Sequence, residues 1–147
     1  VDEGVRGYQA DTDGRKIVLW QRERVGVLDF ERSERKKEFF ERGPEIVWII
    51  EKGHDIRQAY FVYDADSILF CDQNKVFLSR VGESGISPEE IVTVRGGSRI
   101  FYAEKTGKLY YLESSRGELV AADILPEGIT FSGVINELEK ETQGAAK

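Results

Sequence analysis

Short apolar runs, most of them four residues long and rich in β-branched and aromatic side chains, recur along the chain at nearly regular intervals. The first set of runs is Ile17–Trp20, Ala59–Val62 and Ile100–Ala103, and the second set is Val25–Leu28, Ser67–Phe70 and Lys108–Tyr111. Runs of this length and composition predict β-strands. Successive members of both sets lie about 42 residues apart, and this shared spacing predicts an internal repeat.

Two further strands complete each predicted unit. The third strands are Glu38–Phe40, Val76–Leu78 and Leu119–Ala121, and the fourth strands are Ile46–Ile49, Ile91–Val94 and Ile129–Phe131. Turn-forming dipeptides such as Thr106-Gly107, Arg116-Gly117 and Gln73-Asn74 stand between strands. Tight turns make neighbours in sequence into neighbours in space. The sequence therefore predicts an all-β protein built from antiparallel four-strand meanders.

Two segments depart from this β pattern. Ser87–Glu90 combines a capping Ser, a Pro suited to the first helical position and a Glu three residues after the Ser, which predicts one helical turn. The tail from Val134 to Thr142 has apolar positions on one side and Gly144 after it, which predicts a short C-terminal helix. We therefore divide the chain into a β-repeat domain over 1–133 and a helix with its tail over 134–147.

The repeat resembles the blades of β-propellers, in which four-stranded sheets stack around an axis. Gly107–Val120 is similar to the blade pattern of quinoprotein-type propellers, and Arg24–Glu31 is similar to part of the same pattern. The combined signature of WD40 blades, a Gly-His pair followed by a Trp-Asp pair, is missing, as is the indole-bearing docking motif of the quinoprotein repeats. The resemblance implies a scaffold and names no activity. Since propellers have four to eight blades, three units predict a partial propeller, with a closed barrel or a β-sandwich as the alternatives.

Composition and charge exclude several classes of partner. The chain has 147 residues and a net charge of -6, so it lacks the basic surface that nucleic acids need. No apolar run approaches the roughly 20 residues of a membrane-spanning helix. The single cysteine, Cys71, reads as a small core residue and leaves the compartment open, so cytoplasmic and exported locations are both allowed. The absence of Met indicates a processed chain or a segment of something longer.

Six polar residues in predicted loops are the candidate binding residues. His54 and Asp55 follow a Gly, in a placement that suits a general base. Asp64 and Asp66 form a carboxylate pair between two strands. Arg95 and Arg99 flank a Gly-Gly pair that could hold a phosphate or carboxylate through backbone N–H groups.

Neither a metal nor a cofactor is predicted. The run from Asp11 to Gly14 starts like a calcium loop, but Arg22 stands at the twelfth position, where such a loop needs a Glu. We therefore interpret this run as a polar turn.

The sequence contains no constellation of catalytic residue types. It therefore favours a non-catalytic module that binds a protein partner or assembles with itself. Two alternatives stay open. One is the propeller portion of a hydrolase or oxidoreductase, and the other is a carbohydrate-binding module that uses exposed aromatic side chains.

Overall fold

Twelve β-strands make up the part of the chain that the structure, a computed structural model, describes: residues 4–31, 45–82, 87–125 and 128–134. In chain order they are β1 (Gly7–Ala10), β2 (Lys16–Trp20), β3 (Val25–Asp29), β4 (Ile46–Ile50), β5 (Ile56–Val62), β6 (Ser67–Asp72), β7 (Lys75–Arg80), β8 (Glu89–Thr93), β9 (Phe101–Ala103), β10 (Lys108–Leu112), β11 (Leu119–Leu125) and β12 (Gly128–Val134).

The strands form three antiparallel sheets of four, each a meander in chain order. The first sheet holds β1 to β4, the middle sheet β5 to β8 and the third sheet β9 to β12. The sheets do not join into a closed barrel. The prediction of an all-β, partly propeller-like stack of four-strand units is therefore confirmed, and the barrel alternative is not supported.

The middle sheet is buried on both faces. All six residues of β6 are buried, and the four apolar ones alternate between two cores. Ile68 and Phe70 pack toward the first sheet, with Val18 and Val25. Leu69 and Cys71 pack toward the third sheet. Because successive side chains of a strand point to opposite faces, the central residues of a strand between two sheets must be apolar on both faces.

The first unit differs from its prediction. Its first strand is β1, so Ile17–Trp20 is a second strand and corresponds to β6, not to Ala59–Val62. Three of the four residues of β1 are exposed, so its sequence carries no apolar signal. The long separation between β3 and β4 also lengthens this unit. Because the prediction applied the spacing of the later units to this one, it numbered Ile17–Trp20 and Val25–Leu28 one strand too early.

Other predictions fall at or beyond the limits of the described residues. The predicted helical turn at Ser87–Glu90 is wrong, because Glu89 and Glu90 belong to β8 and pair with Leu78 and Phe77. Strand pairing along the sheet edge satisfies more backbone groups than one turn of helix would. The predicted third strand at Glu38–Phe40 lies outside the described residues. Val134 ends β12, and the rest of the predicted C-terminal helix also lies outside them.

Val76→Ala should lower the free energy of unfolding by roughly 1.5–3 kcal/mol, because it removes two methyl groups and leaves a cavity in the core between the middle and third sheets. Val76 is fully buried, whereas Val47 is 41% exposed. Val47→Ala is the matched control and should change the stability by less than about 0.5 kcal/mol. Urea unfolding of both variants measures the difference, and equal losses would contradict this account of the core.

Candidate functional site

The linkers that carry the chain from sheet to sheet, 51–55 and 94–100, lie at one end of the stack, which we call the linker end. Segment 4–6 leads into β1 at the same end. The backbone N–H of Gly53 donates to the carbonyl of Glu23 at 2.7 Å, and the N–H of Val94 donates to the carbonyl of Asn74 at 2.7 Å. These bonds fix each linker against the β-turns beside it, so side chains on the linkers have defined positions.

Asp72 organises the linker before β5. It ends the apolar strand β6 and is 8% exposed. Its carboxylate accepts the backbone N–H of Asp55 at 2.7 Å and that of His54 at 3.1 Å, and it lies 3.3 Å from Nδ1 of the His54 ring. A carboxylate only accepts hydrogen bonds, so Nδ1 is the donor in this contact. The imidazole is 74% exposed and faces solvent.

Two arginines hold Asp55. Nη1 of Arg6 lies 2.7 Å from one carboxylate oxygen, and Nε of Arg57 lies 3.2 Å from the other. The hydrogen bonds from Arg6 and then Arg57 lower the pKa of the Asp55 carboxyl below its ordinary value. These three side chains sum to one positive charge, and the Asp72 carboxylate, which accepts the backbone N–H of Asp55, balances it.

The second linker brings Arg95 and Arg99 to the same end. The N–H of Arg95 donates to the carbonyl of Leu112, and its guanidinium lies against Gly117 in the β10–β11 turn. Burial raises the pKa of the Tyr60 hydroxyl above its ordinary value. The positive charge of Arg99 acts in the opposite direction and has a smaller effect.

The neighbouring Gln58 joins two sheets at this end. Its amide oxygen accepts the N–H of Ile100 at 2.8 Å, and its amide nitrogen donates to the carbonyl of Ile100 at 2.9 Å. Gln58 therefore makes with Ile100, the residue before β9, the pair of hydrogen bonds that a neighbouring strand would make.

Asp64 and Asp66 lie at the opposite end, in the β5–β6 turn, so the structure separates them from the other four candidates. Three consecutive residues there, Tyr63, Asp64 and Ala65, have φ values of 55°, 54° and 64°. Left-handed backbone costs about 1–2 kcal/mol for each residue with a Cβ. The Tyr63 hydroxyl is buried without a hydrogen-bond partner in the described part of the chain, and burial raises its pKa to about 12.

Cys71 is a buried free cysteine, as the sequence predicted. Burial raises the pKa of its thiol to about 11, which keeps it protonated and unreactive near neutral pH. Within the described ranges, no cluster of three or more His, Cys, Asp and Glu side chains is placed to hold a metal ion. Of the helices in those ranges, none is both long enough and apolar enough to span a membrane.

Sequence reasoning missed Asp72, Arg6 and Arg57. A carboxylate at the end of the otherwise apolar run of β6 was a usable signal, because buried acids are rare unless they are hydrogen-bonded. Arg6 and Asp55 are 49 residues apart, and no local pattern connects them.

Comparisons with known proteins support the fold and leave the family open. No protein-family model matches the chain, and neither does any curated protein sequence. Among solved structures, the chain is similar to one from Bacteroides uniformis and one from Bacteroides fragilis, each described as a “putative 6-phosphogluconolactonase”. The TM-scores are 0.59 and 0.58, and the sequence identities are 7% and 10%. The matches cover 90% and 88% of this chain but 40% and 38% of those chains, so it spans about two fifths of their length.

These similarities correct the functional prediction. A non-catalytic protein-binding or assembly module is contradicted, because both similar structures are described as hydrolases. The alternative of a propeller portion of a hydrolase or oxidoreductase agrees with them better. The four-strand blade is confirmed as the architecture, while no match confirms the quinoprotein-type family. His54 and its partner Asp72 are 18 residues apart in sequence, so the sequence presented a lone histidine.

Asp55→Asn should destabilise the fold at pH 7 by about 0.5 kcal/mol, because half-exposed ion pairs contribute little. The carboxyl has a lowered pKa in the folded state, so its stabilisation is present above the unfolded pKa and disappears as the pH falls through the folded value. Urea unfolding should therefore show a larger difference from the unmodified chain at pH 7 than at pH 3. Asp66→Asn, at the opposite end, is the control and should change the stability at pH 7 less than Asp55→Asn does.

Proposed function

We propose that this chain is the three-sheet portion of a propeller hydrolase that opens a sugar lactone, with the substrate bound at the linker end. The observation that carries the proposal is the contact between His54 and the buried carboxylate of Asp72. The likeness of the fold to the two Bacteroides structures supports the same reaction class.

Lactone hydrolysis needs a base for water and an acid for the departing ring oxygen. The Asp72 carboxylate holds Nδ1 of His54 as N–H, and Nε2 takes a proton from water as the water oxygen attacks the carbonyl carbon of the lactone. The ring C–O bond then breaks, and the ring oxygen receives the proton back from the imidazolium. Asp72 stabilises that imidazolium, and the product is the open hydroxy acid.

The arginines suit an anionic substrate. Arg6 and Arg57 both contact Asp55, the residue that follows His54, at the same end of the stack. A guanidinium binds phosphate or carboxylate through paired N–H donors, and it keeps its charge at all relevant pH values. The substrate class that fits is therefore a phosphorylated sugar lactone.

Hydrolysis of 6-phosphoglucono-δ-lactone, followed by acid release in a pH-stat with the uncatalysed rate subtracted, tests the proposal. His54→Gln should lower kcat by about 100-fold or more, which is the usual contribution of a general acid–base group. The exposed position of His54 means that the fold should tolerate this change. Asp64→Asn, at the opposite end, is the matched control and should leave kcat unchanged.

Two results would contradict this function: no acid release above the uncatalysed rate, or equal kcat values for the unmodified chain and His54→Gln. Arg57→Gln adds an independent readout. It should raise KM for the phosphorylated lactone more than KM for unphosphorylated glucono-δ-lactone, because only the first substrate carries the phosphate that the guanidinium binds.

A further inference from the structure

Each outer sheet turns one apolar face away from the middle sheet. On the third sheet, Phe101 and Leu119 of this face are 61% and 45% exposed, and the Phe101 and Tyr110 rings lie 6.3 Å apart. On the first sheet, Tyr8 of the corresponding face is 73% exposed, and Leu19, its cross-strand partner on the same face, is 5% exposed. We call these the trailing face of the third sheet and the leading face of the first sheet.

The trailing face is the same face that the other two sheets bury. Tyr110, Leu112 and Leu119 of the third sheet take the ladder positions that Leu69, Cys71 and Val76 hold in the middle sheet and that Val18, Trp20 and Val25 hold in the first sheet. In the middle sheet these positions pack on the third sheet, and in the first sheet they pack on the middle sheet. An apolar side chain at each of these positions is what a following sheet covers.

The leading face matches from the other side. Ile17 and Leu19 of the first sheet take the ladder positions of Ile68 and Phe70, which pack on the sheet before them. Leu109 and Tyr111 hold the equivalent positions in the third sheet, and they too pack on the sheet before them. The two outer faces are therefore the two halves of a contact that the molecule already forms twice.

We propose that the trailing face of one copy of this chain packs on the leading face of a second copy, so that two copies form one ring of six sheets. The contact is head-to-tail. Contacts of that kind form a closed ring when the rotations between successive units add up to one full turn. Six sheets lie within the range of four to eight found in propellers, whereas three copies would exceed it. One copy covers about two fifths of the length of each similar structure, so two copies would span about four fifths.

The exposed aromatic side chains give this contact its specificity. Large apolar patches on a sheet face mark surfaces that another protein covers. Tyr8 and Phe101 both belong to the first strands of their sheets, β1 and β9, which are edge strands. The second copy would cover both side chains, and it would complete the ring around the linker end.

Light scattering after size-exclusion chromatography of the 147-residue chain tests the proposal, with a dimer as the expected mass. Tyr8→Lys places a charge on the leading face, and Phe101→Lys places a charge on the trailing face. Each variant alone should be monomeric, because every head-to-tail contact needs one face of each kind. An equimolar mixture of the two variants should recover a dimer, because one intact face of each kind remains. Val47→Lys is the matched control at an exposed apolar site on the inward side of the first sheet, and it should stay dimeric.

The proposal is overturned by a monomeric unmodified chain at concentrations around 100 μM, a range in which weak specific interfaces are occupied. It is also overturned if either face variant alone stays dimeric, because that result would indicate an interface between identical faces. Circular dichroism and thermal unfolding of each variant separate loss of the contact from loss of the fold. The mass does not depend on catalysis, so this test and the lactone assay fail independently.

Discussion

Burial of the middle sheet on both faces is the constraint on which the rest of the structure depends. A single four-stranded sheet has two apolar faces and cannot hide either of them alone. In β6 the alternating side chains enter two different cores, one shared with each neighbouring sheet. Each face of the middle sheet is therefore stabilised by a different partner. Removing either outer sheet would leave a full apolar face in water, so the three sheets stabilise one another as a stack.

Stacking buries the apolar faces of the sheets but gives the backbone groups of the linkers between sheets no strand partner. Polar side chains form hydrogen bonds with those backbone groups instead. Gln58 binds both the N–H and the carbonyl of Ile100, and Asp72 receives two N–H groups of the linker before β5. A buried donor without a partner costs about 1–3 kcal/mol, so both side chains contribute to order in the linkers. The same bonds position His54 and the arginine pair of Asp55. The side chains that order the linkers therefore also hold the proposed site in place.

The strands were largely predictable because the information that specifies them is local. Apolar alternation and turn dipeptides identified most strands of the middle and third sheets. The short, mostly exposed β1 has no such signal, and its omission displaced the strand order of the first unit. The pairing of Glu89 and Glu90 with β7 overrode a local capping signal. The site was less predictable, because its contacts join residues such as Arg6 and Asp55 from different sheets. The sequence identified His54 and Asp55 as candidates but not the carboxylate that orients the histidine.

The linkers show why a repeat of this kind conveys architecture more readily than activity. The ladder positions that pack between sheets hold similar apolar side chains in all three units, because each must fill the same space. The linkers meet no such requirement, and they differ: Arg6 precedes β1, His54 and Asp55 precede β5, and Arg95 and Arg99 precede β9. Chemistry can therefore be placed where the units diverge without disturbing the stack. The candidate site residues lie where the units depart from the repeat, and only the stack shows which of them share an end.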